Sequence, residues 1–378
     1  MERLNTMESE NKVDGIVLIT SEAEKYLNPR QKISYRTHRK ELAEWMLSLG
    51  KNPGKADGYS YTTAKNRMNR LDLFYRFVWD KEGRYVQDLS TDHADDWMRE
   101  LATKDYKEST KCHYQKAVQT LFKWKRHERN SNTEWEPVIR YSDPSTSYQP
   151  RDYLTREDRR KLREAALEYG SVPHYNSVTP SERERWKSYL AQRFQKPKET
   201  VSKRDWLRAN SFKYTSMIYT ALDAGLRPVE VGNANTRWID TDNQVLRIPR
   251  EESSKNRENW TVALKPETAS ILKQWLEERE QHEKYEGEMA LWLTKYGNRY
   301  DKDSFRTVFR NIASEAGLDL ENRDLTPYSI RHSTATYITD DAGLAVAAEQ
   351  CRHKSRRTTE KYVHSSVDRQ SDAVNKLD

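Results

Sequence analysis

Residues 327–364 open with Pro327-Tyr328-Ser329-Ile330-Arg331-His332-Ser333-Thr334-Ala335-Thr336, pass through Arg352-His353-Lys354-Ser355, and close on Lys361-Tyr362-Val363-His364. Thr326-Pro327 is a helix-start signal, so Arg331 falls early in a helix. The segment carries a guanidinium able to grip two oxygens at once, an imidazole that titrates near neutral pH, and a phenol that can act as a nucleophile. Tyr362 follows His353 by nine residues.

Upstream, Gly225-Leu226-Arg227-Pro228-Val229-Glu230 places an acid three residues after an arginine, which alone reads as an ordinary helical ion pair. Lys255 lies in a turn between two runs that alternate like strands, 237–249 and 259–264, and alone is a turn lysine. Tyr362 alone is one more of 22 tyrosines. Taken in order, Arg227, Lys255, Arg331, His353 and Tyr362 resemble the active-site set of the tyrosine recombinase (phage integrase) family, over about residues 212–364. Two positions depart from that pattern. Tyr328 stands where the family mostly has histidine, and Arg352 replaces a customary glycine, adding a cation near the phosphate.

The resemblance implies a mainly α fold with a small antiparallel sheet (α+β): an N-terminal helical, SAM-like core-binding domain and a C-terminal catalytic domain, forming a clamp on double-stranded DNA. It assigns Arg227 and Arg331 to the phosphate oxygens, Glu230 to the support of Arg227, and Lys255 to protonation of the leaving 5′ oxygen. His353 hydrogen-bonds the phosphate or assists proton transfer, Tyr328 takes the place of a proton-handling histidine, and Tyr362 is the nucleophile. No carboxylate cluster at metal-binding spacing and no phosphate-cradling Gly-rich loop accompany these residues, so the implied route uses no metal, ATP or other cofactor. A tetramer on paired sites is implied, with the tail 365–378 docking onto a neighbour; whether a DNA-bending accessory factor joins is left open. The preferred role is integration or excision of a mobile element by an archaeal or viral type of integrase. The alternatives are Xer-like dimer resolution and a non-catalytic DNA-binding regulator of the same fold; type IB topoisomerases share the chemistry.

The bulk composition fits that reading. At 378 residues there is material for two domains, and 11 Trp, 22 Tyr and 7 Phe supply bulky core side chains despite 33% charged residues. The formal charge of +7 suits a polyanionic partner. No apolar run reaches membrane-spanning length, and two distant cysteines, Cys112 and Cys351, match no metal or disulfide framework. The expected location is the cytoplasm, at the nucleoid.

The chain divides by pattern into an arm of unknown function (1–30), a helical DNA-binding domain (31–130), a linker rich in turn formers (131–152), the catalytic domain (153–364) and a tail (365–378). Ile16 to Ile19 is a strand or a packed arm. Helical periods begin near 35, 62, 91 and 109, and Asp303 is read as the cap of a later helix carrying Phe305, Val308, Phe309 and Ile312. Across 104–129 eight Lys or Arg face three acids, so that helix and the one from 62 supply the phosphate-contact candidates Lys65, Arg67, Arg70, Lys111, Lys116, Lys123, Lys125 and Arg126. The polar stretch 170–205 reads as an inserted loop with a surface helix over 181–195.

Overall fold

The computed structural model describes residues 11–129, 131–142, 152–253, 258–353, 359 and 374–375. The chain divides into two units, Met1–Tyr148 and Gln149–Asp378.

In the first unit, Asp14 and Gly15 both take positive φ, 47° and 80°, the requirement of a two-residue hairpin turn that matches strand twist. The turn pairs β1 (Lys12–Val13) with β2 (Ile16–Val17), and Ile16, Leu18 and Ile19 sink into the core. Much of the expected arm is therefore core material. A short α1 (Ser21–Glu24) leads to α2 (Pro29–Ser48), which starts earlier than its apolar period because Asn28 and Gln31 cap each other reciprocally ahead of Pro29. Three longer helices follow: α3 (Tyr61–Glu82), α4 (Thr91–Thr103) and α5 (Glu108–Glu128). Arg39 of α2 is fully buried and donates to the Leu18 and Met68 carbonyls, joining the hairpin to α3. Residues 131–142 belong here as well. Trp135 donates to Asp95 at 3.0 Å and the Tyr141 hydroxyl to the Met98 carbonyl at 2.6 Å, so a segment of linker-like composition packs on the bundle.

The second unit is built round α9. Thr155 and Asp158 cap α6 (Arg156–Glu168) reciprocally. The insert then forms α7 (Pro180–Arg193) and α8 (Lys203–Leu207), and α9 spans Phe212–Ala224 with nearly every residue buried. After α10 (Pro228–Asn233), the strands β3 (Ile239–Asp240), β4 (Val245–Ile248) and β5 (Trp260–Ala263) form an antiparallel sheet in that order. The helices α11 (Pro266–Arg279), α12 (Lys302–Glu315), α13 (Pro327–Ala342) and α14 (Leu344–Gln350) follow among the described residues. Helices α6, α11 and α13 pack on α9, whose Met217, Ile218 and Leu222 meet Leu272, Trp275 and Ile330 in one core. The cap of α12 is Asp301, whose carboxylate takes the Ser304 N–H at 2.7 Å, while Asp303 lies in the first turn.

The insert departs from its expected form as a surface loop. Trp186 of α7 is fully buried, and with Tyr189, Leu190, Trp206 and Val201 it makes a small core of its own. Across both units, no helix among the described residues is long and apolar enough to cross a membrane.

Candidate active site

The site begins where α9 ends. Gly225 takes φ +55°, the left-handed cap open to glycine, and a Cβ there would stand 3.1 Å from the Cys351 sulfur. The chain then turns through Leu226 and Arg227 into Pro228, the first residue of α10. A helix end leaves its last carbonyls without intrahelical partners and carries partial negative charge, a place that favours cations. Arginines from three other segments converge on it. Arg159 donates to the Leu222 carbonyl at 2.9 Å, Arg352 to Ala224 at 2.7 Å and Gly225 at 3.2 Å, and Arg331 to Gly225 at 2.6 Å. Arg331 also donates to the Cys351 carbonyl.

Glu230 is the counter-ion of this cluster and is only 2% exposed. Its Oε1 accepts from the Arg227 guanidinium at 2.7 Å; its Oε2 accepts from the Arg227 backbone N–H at 2.8 Å and from Arg352 at 2.6 Å. Arg227 reaches further, donating to the Arg352 carbonyl at 3.1 Å. Burial would raise the Glu230 carboxyl, but the cations of Arg352, Arg227 and Arg331 outweigh it and hold the group well below the usual carboxylate range. Burial lowers Arg331 to about 10, which leaves it charged at neutral pH. Both of its terminal nitrogens spend a proton on protein carbonyls; each carries a second N–H for a ligand.

His353 follows directly. Its Nδ1 lies 2.9 Å from the Thr359 hydroxyl, and burial, with the charges of Arg331, Arg227 and Arg352, lowers its pKa to about 3. The imidazole is therefore neutral near pH 7 and acts as a hydrogen-bonding group. Arg227, Glu230, Arg331 and His353 thus come together, as their order in the sequence implies. Tyr328, one turn before Arg331 on α13, is 39% exposed and makes no hydrogen bond to this cluster among the described residues. Lys255 and Tyr362 lie outside the described residues, as does most of the tail 365–378. Arg352 and Arg159 were not among the expected site residues. Only the replacement of a customary glycine by Arg352 signalled its part.

The basic candidates of the first unit separate into two groups. Arg67 donates to Thr120 of α5 at 2.8 Å with its guanidinium 3.8 Å over the Tyr59 ring, and Arg70 lies 5.9 Å from the Tyr114 ring. Lys116 sits one turn before Thr120, Lys65 is exposed on α3, and Lys123 donates to the Gly50 and Lys51 carbonyls. Arg67 and Arg70 thus lie at the junction of α3 and α5, and Lys123 at the end of α2. The others point elsewhere: Lys125 pairs with Asp88, Arg126 with Glu134, and Lys111 donates to the Ala102 carbonyl.

Residues 198–369 match the model of the phage integrase family. The matched stretch lies within the second unit and holds Arg227, Glu230, Arg331 and His353. Among curated relatives, the tyrosine recombinase XerC of Bifidobacterium longum subsp. infantis is 27% identical across 44% of this chain and 48% of its own length. The tyrosine recombinase XerS of Streptococcus gordonii is 23% identical across 90% of this chain and 79% of its own length. The chain spans about half the length of the XerC relatives it matches. A solved XerH site-specific recombinase, bound to a palindromic difH substrate in a post-cleavage complex, superposes with a TM-score of 0.55 at 16% identity, over 90% of this chain and 88% of that one. At that identity the likeness speaks for the fold alone, mainly helical with small antiparallel sheets.

Proposed function

We propose that the chain is a site-specific tyrosine recombinase, an integrase that cleaves and rejoins duplex DNA through a 3′-phosphotyrosine to integrate or excise a mobile element. The observation that carries this reading is the convergence of Arg227, Arg331 and His353 at the carboxyl end of α9, inside a match to the phage integrase family.

The chemistry follows from the residue types. Attack by the Tyr362 oxygen on the scissile phosphorus forms an O–P bond while the bond to the 5′ oxygen breaks. In between, negative charge builds on the non-bridging oxygens, where the remaining N–H groups of Arg227 and Arg331 stabilise it more strongly than in the ground state. A phenol near its reference pKa of about 10 needs that cationic surrounding to lose its proton. Lys255 gives the proton that the departing 5′ oxygen takes up, and neutral His353 donates or accepts a hydrogen bond at the phosphate. Tyr328, one turn before Arg331, is the phenol in the place of a proton-handling histidine. Because the covalent link retains the energy of the phosphodiester, a 5′-hydroxyl from a second duplex reverses the step onto a new partner.

Two duplexes present four strands, so four copies on paired sites is the proposed assembly, acting at the nucleoid in the cytoplasm. The basic junction of α3 and α5 is the proposed backbone contact of the first unit. Dimer resolution is the second reading; it rests on the XerC and XerS names of the relatives and shares every chemical step.

The test is strand exchange. A binding site selected from random duplexes is placed on two DNAs of different length and incubated with the chain in chelator without ATP. Recombinant products of both lengths are expected. Binding with no exchange would instead support a regulator, and relaxation of supercoils without exchange a topoisomerase.

A further inference from the structure

Arg352 occupies the place in its turn where glycine is the inexpensive choice. Its φ is +56°, a region that crowds any Cβ, and its guanidinium is 1% exposed, a costly place for a charge. Two such costs at one residue point to a compensating role. A carboxylate facing an arginine ordinarily takes both ends of the guanidinium fork. Here that fork–fork pair does not form, since Oε2 of Glu230 is held by Arg352 and by the Arg227 backbone N–H, leaving the Arg227 guanidinium a single contact at Oε1. The same left-handed turn aims the Arg352 carbonyl at the other end of the Arg227 guanidinium. Cys351 and His353, its two neighbours in sequence, are respectively the carbonyl partner of Arg331 and the site histidine.

We propose that Arg352 is a positioning residue: its side chain occupies Glu230 and its carbonyl anchors Arg227, so that Arg227 stays aimed at the scissile phosphate and does not collapse into a two-pronged pair with Glu230. The inference rests on the recombinase reading above and goes beyond it, because the family pattern has no side chain at this position. Loss of the Arg352 side chain removes one donor from Oε2, and the Arg227 guanidinium then rotates onto the carboxylate. Arg352 touches no DNA in this account; it acts through Glu230 and Arg227.

The test uses the full chain and a nicked duplex that traps the covalent complex. Site affinity and the single-turnover trapping rate at saturating DNA are measured for wild type, R352G, R352K, E230Q and the double variant R352G/E230Q. R352G removes the side chain and suits the left-handed turn. It is expected to bind DNA within about threefold of wild type and to trap about 10- to 100-fold more slowly, the scale of a small misplacement of a catalytic group. R352K, which lacks the planar fork that spans Glu230 and the Ala224, Gly225 and Gln350 carbonyls, is expected between the two. In the E230Q background the further loss of Arg352 is expected to change the trapping rate by less than about twofold, since the competing carboxylate is gone.

A merely structural role predicts parallel loss of folding and binding with an unchanged rate per bound complex, and that result would overturn the proposal. So would wild-type trapping by R352G, or full additivity in the double variant. Should R352G prove too unstable to assay, R352K with its E230Q partner carries the same comparison. A wild-type chain that forms no adduct at all refutes the recombinase reading itself, which separates the two failures.

Discussion

Replacing Glu230 by glutamine keeps the volume of the side chain and deletes the one carboxylate shared by Arg227 and Arg352, with Arg331 close by. In the native site the side chains of Arg227 and Arg352 are 10% and 1% exposed, so the charges left behind cannot recover their lost partner from water. Removing one member of a buried ion pair costs about 3–5 kcal/mol, most of it the stranded charge. In a unit of this size each kcal/mol lowers the melting temperature by about 2–4 °C, so E230Q is expected to melt roughly 6–20 °C below wild type. Calorimetry of the full chain reads the shift, and hydrogen exchange of the α9–α10 peptides assigns it to the second unit. The pH dependence follows from the depressed carboxyl. A group held below its ordinary 4.5 stabilises the fold above that pH and loses the contribution as pH falls through the folded value. The gap between wild type and E230Q therefore narrows below about pH 4.5. A melting shift under about 2 °C at pH 7, or a gap that widens in acid, would refute the claim that Glu230 is the buried counter-ion of the cluster.

Arg331→Lys keeps the charge but loses the fork, and cleavage on a trapping substrate is expected to fall about 100-fold or more with site affinity little changed; near-normal cleavage would remove Arg331 from the phosphate. Arg67→Ala, at the junction of α3 and α5, is expected to weaken binding similarly on all sequences and reduce the slope of log affinity against log salt by about 1, whereas Arg126→Ala, already paired with Glu134, leaves the slope within error. His38 is lowered to about 3 by burial, with Arg39 adding to it, and lies 2.6 Å from the Tyr75 hydroxyl. Its stabilising contribution is complete above its ordinary 6.5 and declines as pH falls toward about 3, so hydrogen-exchange protection of α2 should weaken over that window in wild type and less so in His38→Gln.

The long helices were legible because their apolar residues repeat at helical spacing and their caps are local: Thr155 with Asp158 and Thr326 with Pro327 need nothing distant. Elements whose signal is non-local were less so. Trp186 and Trp206 meet only because separate segments of a highly charged insert fold together, so composition alone read the insert as surface. The start of α2 was hidden by a polar first turn, and Asp301 outcompetes Asp303 as a cap because Ser304, three residues on, returns the contact. Motif order pointed to Arg227, Arg331 and His353, which the fold brings together at the end of α9. Arg352 was visible as an oddity, but its reach to Glu230, 122 positions away in sequence, is a tertiary event that no local pattern encodes. Tyr328 was named for its place in the motif, and the fold leaves it outside the arginine network.

The central claim is that Tyr362 becomes covalently joined to DNA. The chain is incubated with a nicked duplex carrying its selected site, in chelator and without ATP, then denatured, digested and analysed by mass spectrometry. The account predicts a denaturant-resistant adduct carrying a 3′-phosphate linked to Tyr362, absent in Tyr362→Phe while that variant still binds the site. An adduct on Tyr328 or any other residue, an absolute need for metal, or undiminished trapping by Tyr362→Phe would contradict it.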